Sequence, residues 1–124
     1  MNKVLLIDDD EAFLIILKHL LIQAGFEVET ASDGQEGMKK YSSFKPDLVI
    51  TDLMMPFVSG LEFIKYLRED LMQEVPLIMV SAEDEENIVS TAFRLGANDY
   101  LVKPLKPIEL VTTVKKILAR HHRI

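Results

Sequence analysis

The acidic run Asp8, Asp9 and Asp10 follows the apolar stretch KVLLI, and Asp52 follows LVIT. Ser81 follows LIMV, and Lys103 with Pro104 follows DYLV. Each stretch has strand-forming composition, so carboxylates, a hydroxyl and an ammonium stand at the ends of strands far apart in the chain. Singly, each has an ordinary explanation. An Asp or Ser after a strand turns the chain or caps the next helix, as is expected of Asp10, and a Lys there is solvated. Jointly the ordinary explanation weakens, because carboxylates crowded at adjacent strand ends repel and must take up protons or find a cation. Magnesium answers that need, since it takes oxygen ligands and commonly uses one or two carboxylates with water and phosphate oxygens. Asp9 and Asp52 can supply the carboxylates and Asp8 can hold a coordinated water, while no His partners them, which disfavours zinc. An Asp carboxylate can also attack phosphorus to give an aspartyl phosphate. In such a transfer a metal and a lysine neutralise charge on the equatorial oxygens, so Lys103 and Ser81 would contact the phosphoryl group.

The elements that must position these groups are legible as a rhythm of short apolar runs and longer amphipathic ones. Strands are expected at Lys3 to Ile7, Phe26 to Thr30, Asp47 to Thr51, Pro76 to Val80 and Asp99 to Val102. Between them lie helix-length segments. Ser32 with Gln35 and Ser59 with Glu62 have capping-box spacing, and Gly25 and Gly96 stand where helices should stop. Pro107 suits the first turn of the last helix, whose Leu110, Val114, Ile117 and Leu118 share one face. Three of the strands are apolar on both sides, as strands covered by helices above and below must be. Five βα units with short connections specify an α/β fold with a parallel sheet. In such a sheet, sites form outside the carboxyl ends of the strands, where the residues above are set.

Length and composition narrow the function further. A chain of 124 residues is a single domain's worth, with no internal repeat, low-complexity stretch or linker. The net charge of −6 is the wrong sign for a surface that holds a nucleic-acid backbone. Without cysteine there is no disulfide and no thiolate chemistry. Three aspartates cut the opening apolar run short of a signal sequence, and no apolar run reaches bilayer-spanning length. The expected setting is cytoplasmic.

These motifs together resemble the receiver domain of bacterial response regulators, the module of two-component phosphorelay systems to which the chemotaxis regulator belongs. LLIDDDEAF is similar to the acidic first loop, DLVITDLMMPFVSGLEFI to the phosphoacceptor segment, PLIMVSAED to the hydroxyl-bearing strand and GANDYLVKPL to the Tyr and Lys-Pro segment. The resemblance covers residues 1–124. It implies a doubly wound, flavodoxin-like sheet of five parallel strands in the order 2-1-3-4-5, with helices on both faces. Asp52 would be the phosphoacceptor, taking its phosphoryl group from a phosphohistidine on a histidine kinase or histidine phosphotransfer protein. Asp9, Asp52 and the backbone carbonyl of Met54 would bind Mg²⁺, with Asp8 acting through water. Ser81 would swing toward the phosphoryl group, Tyr100 would turn inward behind it, and Lys103 would pair with the phosphoryl oxygens through a cis Lys103–Pro104 bond. The implied output is a switched protein-binding face formed by the fourth helix, fifth strand and fifth helix, read by a downstream target or output domain and compatible with a phosphorylation-linked dimer. Such a domain phosphorylates and dephosphorylates itself and is not an enzyme with a separate substrate.

Departures from the family pattern are Leu105, where phenylalanine is frequent, and Lys106 in place of a polar helix cap. Met54 and Glu83 occupy variable positions that tune phosphoryl loss. The first helix, EAFLIILKHLLIQA, is more apolar than one buried stripe requires, and Phe13 with Ile16 could form a docking patch beside the acids. His19 has no second ligand at helical spacing, and the cations of the closing RHHRI suit a last helical turn. A flavin-binding domain would carry Ser, Thr or Gly after the first strand, a haloacid-dehalogenase type phosphatase would carry a second Asp at position 54, and no P-loop or GxGxxG is present. The remaining alternative is a degenerate receiver that acts as a phosphorylation-independent interaction module, which would require a broken site.

Overall fold

The computed structural model describes residues 2–121, and the final residues of RHHRI lie outside that range. Strand β1 (Lys3–Ile7) is followed by helix α1 (Glu11–Gln23), then β2 (Glu27–Ala31), α2 (Gly34–Phe44), β3 (Leu48–Thr51) and α3 (Gly60–Lys65). The chain closes with β4 (Leu77–Ser81), α4 (Glu86–Leu95), β5 (Asp99–Val102) and α5 (Pro107–His121). All strand pairs are parallel, in the order β2-β1-β3-β4-β5. Connections through helices on both faces explain why β3 and β4 are buried along their whole length.

Alternate side chains of the strands feed two cores. Leu6, Ile50 and Ile78 pack with α1 and α5 on one face, whereas Leu5, Val49 and Leu77 pack with Phe63, Ile64 and Leu67 on the other. This division follows from the period of two along a strand. The first three helices are capped by side chains, whereas α4 is not: Asp10 accepts from Phe13 N at 3.2 Å, and Ser59 and Glu62 complete the expected capping box. At α2 the cap is Asp33, not Ser32, because the Asp33 carboxylate reaches Glu36 N at 2.8 Å while Ser32 donates its own N–H to Glu36. The cap is displaced by one residue, and the reciprocal bond of a capping box is not made, since Glu36 accepts from Ser32 N and not from Asp33 N. Strands β2 and β4 likewise sit one residue later than the apolar pattern suggested, with Phe26 buried in the turn after α1 and Ser81 inside the strand.

Two features were not signalled by periodicity. Helix α3 continues into a π-helical turn over Tyr66–Asp70, and Arg68 from that turn donates to the carbonyls of Gln73 and Gly96 and to Asn98 Oδ1. At the edge of the sheet, Lys40 from α2 pairs with Glu29 and also donates to the Thr30 carbonyl of β2. Gly96, at φ 114°, ends α4 in a left-handed conformation as the sequence suggested.

Candidate functional site

Backbone hydrogen bonds fix each reactive residue to the strand beside it. Asp8 N donates to Ala31 O at 3.1 Å, Asp52 N to Ile7 O at 2.9 Å and Lys103 N to Ser81 O at 2.8 Å. The sheet ladder therefore runs one step past its strands and sets these side chains along one rim. Below Asp52 the loop returns at Gly60, whose N–H donates to Leu53 O at 2.9 Å. A Cβ on Gly60 would overlap the Asp52 carbonyl, so glycine is required by that close approach.

The carboxylates of Asp8, Asp9 and Asp52 come together, each offering an oxygen within 4.8 Å of the others. Asp8 and Asp52 are buried and Asp9 is exposed. Lys103 Nζ lies 2.8 Å from Asp8 Oδ2 and 3.6 Å from Asp52 Oδ2, and it sits 4.4 Å from the centre of the Phe13 ring. Burial pushes the Asp8 carboxyl above the ordinary aspartate value, outweighing the hydrogen bonds from Lys103 and Asp10 N that pull it down. Burial alone would lower the Lys103 ammonium, but its hydrogen bond to Asp8 and the charges of Asp8 and Asp52 together raise it. One cation thus holds two carboxylates in a partly dehydrated cleft, and a third carboxylate opens that set to water.

The cleft has a volume of about 240 Å³ and is lined by Asp52, Met54, Ser81, Ala82, Glu83 and Lys103. Met54 N donates to Asp52 Oδ1 at 3.3 Å, which turns that carboxylate into the cleft. Ser81 Oγ accepts from Glu83 N at 3.2 Å and caps no helix, since α4 begins after Glu85. Tyr100 lies inward and donates its hydroxyl to Glu83 O at 2.6 Å. Glu83 therefore links Ser81 to Tyr100 through its backbone, a role no side-chain pattern could reveal. The Lys103–Pro104 bond is cis, as the resemblance implied. Beside the cleft, Phe13, Ala82, Lys103, Pro104 and Leu105 line an apolar groove of about 370 Å³. Phe13 is half-buried there and Ile16 is exposed, so the two residues suggested as a docking patch differ in availability. Phe57, in the loop after Asp52, has φ 70° and an almost fully exposed ring.

An oxygen-only set of three clustered carboxylates, without His or Cys, fits a hard divalent cation. The same set beside a lysine and a hydroxyl can polarise and hold a phosphoryl group at Asp52. Among the described residues no helix is long and apolar enough to cross a membrane.

Comparison with known proteins agrees with this geometry. The family model described as "Response regulator receiver domain" matches residues 4–115. The chain is 42% identical over 119 residues to the alkaline phosphatase synthesis transcriptional regulatory protein PhoP of Bacillus subtilis, covering 96% of this chain and 49% of that protein. It is 39% identical over 122 residues to the transcriptional regulatory protein CpxR of Escherichia coli, covering 98% of this chain and 51% of the relative. The chain thus spans about half the length of these curated relatives. Among solved structures, a two-component response regulator from Clostridium difficile superposes with TM-score 0.93 at 28% identity, covering 99% of this chain and 100% of that one. Chemotaxis protein CheY4 of Vibrio cholerae gives TM-score 0.88 at 35% identity, covering 94% and 98%.

Proposed function

The chain belongs to the response regulator receiver family, and from that premise we propose that Asp52 accepts a phosphoryl group from a phosphohistidine on a sensor kinase or phosphotransfer protein, in a Mg²⁺-dependent reaction. The observation that carries this reading is the meeting of Asp8, Asp9 and Asp52 with Lys103 at one sheet rim. An Asp52 carboxylate oxygen forms its bond to phosphorus as the P–N bond of the donor breaks, and the bonding pair leaves with the imidazole. Lys103 turns from Asp8 and Asp52 toward the incoming phosphoryl oxygens, and the Ser81 hydroxyl donates to one of them. Asp8, Asp9, Asp52 and the carbonyl of Met54 would hold the Mg²⁺, which when bound neutralises charge on the phosphoryl oxygens.

The switch follows from the Ser81, Glu83 and Tyr100 linkage. Drawing Ser81 toward the phosphoryl group releases Glu83 N, and the same loop residue carries the carbonyl that Tyr100 holds. Phosphorylation therefore biases the packing of α4, β5 and α5 between two arrangements. A downstream protein or output domain reads that face, and the negative charge of the domain makes direct contact with nucleic acid unfavourable. The domain acts in the cytoplasm, where its phosphodonor supplies the group, and it turns over no separate substrate.

The test is mass spectrometry after incubation with Mg²⁺ and acetyl phosphate. One phosphoryl mass is gained, and Asp52→Asn abolishes the gain. Unchanged labelling of that variant moves the acceptor to another residue.

A further inference from the structure

Helix α4 is held unequally at its two ends. At the C-terminal end Gly96 N donates to Phe93 O and Ala97 N to Ala92 O, both at 3.0 Å, the bond pair of a Schellman turn, and Ala92 and Ala97 are buried. Asn98 then pairs with the first residue of β4 through two bonds: its N–H donates to Leu77 O at 2.8 Å and its Oδ1 accepts from Leu77 N at 2.9 Å. Arg68 ties this corner to the π-helical turn after α3. Its Nη2 donates to Gly96 O at 2.9 Å and to Asn98 Oδ1 at 3.2 Å, and its Nη1 donates to Gln73 O at 2.8 Å. The arginine stem lies against Gly96, where a Cβ would come within 2.8 Å of Arg68 Nε. Among the described residues the N-terminal end has no comparable fastening. The helix starts after Glu85 without a side-chain cap, residues 84–87 are exposed, and Ile88 and Val89 are half-buried. The loop leading into it is held through Glu83, whose N–H donates to Ser81 Oγ and whose carbonyl accepts from Tyr100. Those are the two side chains that the proposed switch recruits.

We infer that Arg68 is the pivot of the switch, a positioning residue that holds the C-terminal end of α4 in place so that phosphorylation swings the helix from its N-terminal end. The inference rests on the phosphoacceptor reading of Asp52. The ten residues of α4 span roughly 15 Å, so a tilt of about 10° moves the first turn by roughly 2.5 Å. A displacement of that size at Gly96 would carry its carbonyl and Asn98 out of hydrogen-bond range of the guanidinium, leaving a half-buried charge short of acceptors. At the N-terminal end the same displacement needs only the exchange of the Ser81 and Tyr100 bonds. The acceptors of Arg68 are neutral oxygens on Gln73, Gly96 and Asn98, so the fork of the guanidinium matters more than its charge, and a lysine there would reach fewer of them. The part of α4 that presents two states to a target is therefore the half that begins at Glu86, while the turn at Arg94 and Leu95 stays fixed.

Amide hydrogen exchange followed by NMR on the whole chain, with and without Mg²⁺ and acetyl phosphate, tests the inference, while mass spectrometry of the same sample reports the phosphoryl group on Asp52. In the parent protein, phosphorylation should change exchange at Ile88, Val89 and Ser90 by at least about tenfold, and at Gly96, Ala97 and Asn98 by less than about twofold. In Arg68→Lys, exchange at Gly96, Ala97 and Asn98 should rise roughly tenfold before any phosphorylation, relative to Leu6 and Ile50 in the central strands. Phosphorylation of that variant should then alter those three amides as well. A purely structural role for Arg68 would speed Leu6 and Ile50 equally, and that result overturns the inference. So does a parent protein whose Gly96, Ala97 and Asn98 respond to phosphorylation as strongly as Ile88 to Ser90, a reading that requires no variant to fold. Protection of the three amides that survives Arg68→Lys overturns it too. If Asp52 gains no phosphoryl mass, the phosphoacceptor reading fails first and the pivot falls with the switch it serves.

Discussion

Lys103 Nζ rests 2.8 Å from Asp8 Oδ2, joining residues 95 positions apart in the chain and closing the rim from β5 to β1. Asp8 is almost fully buried and Lys103 about four-fifths so. Removing the lysine leaves Asp8 and Asp52 facing each other without a cation. Partial exposure and proton uptake by Asp8 moderate the cost, so Lys103→Met should destabilise the domain by about 1–2 kcal/mol at neutral pH. Urea denaturation measures this, and acetyl phosphate labelling of the variant should fall. A variant as stable as the parent would show that the pair contributes nothing net.

The pH dependence has two parts of opposite sense. Because burial holds the Asp8 carboxyl above 3.8, the folded chain binds that proton more tightly than the unfolded chain. Its contribution to stability is lost as pH rises from 3.8 through the raised value. The Lys103 ammonium is held above 10.5, so its contribution is fully present below that value and is lost only as pH climbs beyond it. On the proposed function Mg²⁺ would displace the Asp8 proton, so its affinity should fall with acidification at a pH above that of an ordinary aspartate, and binding should release protons there. Calorimetry in buffers of different ionisation enthalpy counts them. Asp8→Asn should bind more weakly and release fewer, and an undiminished release would place the proton elsewhere.

Gly60→Ala should cost about 1–3 kcal/mol, because the added methyl meets the Asp52 carbonyl, Met79 Sδ and Leu53 Cα. The loop can relieve the overlap only by moving Asp52, so phosphoryl labelling should slow along with the loss of stability. Normal labelling in a destabilised variant would separate the loop from the acceptor.

At Phe57 the opposite result is expected. A bulky residue at φ 70° costs about 1–2 kcal/mol, whereas glycine there loses about 0.4–1 kcal/mol through the freer unfolded chain. With the ring exposed, Phe57→Gly should raise stability by about 0.5–1 kcal/mol, read from the urea midpoint. A lower midpoint would mean that the ring contributes packing after all.

The convergence of these side chains was legible because strand-forming runs in this chain end on them, and a parallel sheet allows only one edge for such ends to share. Asp8, Asp9, Asp52, Ser81 and Lys103 are brought to that edge as their positions required. What the sequence hid was carried by backbone geometry. Glu83 joins Ser81 to Tyr100 through main-chain atoms, which have no composition to read. The cap at Asp33 was missed by one residue because Ser and Asp side chains are both able to cap, and only the local backbone selects between Ser32 and Asp33. The π-helical turn after Lys65 follows no periodic signal either, and the carbonyls that Arg68 reaches from it, at nearby Gln73 and distant Gly96, are set by the folded backbone.

The outer border of the sheet at β2 bears on solubility. Main-chain groups on an unpaired strand are a template on which other chains can zip. Here Glu27 N and Ala31 O turn inward to β1, which leaves Thr30 facing outward, and the ammonium of Lys40 occupies its carbonyl while Glu29 adds charge alongside. Lys40 therefore occupies a carbonyl on the border where a further strand would add, and replacing it with an uncharged residue should make pairing through that border easier on partial unfolding, which thioflavin fluorescence reads.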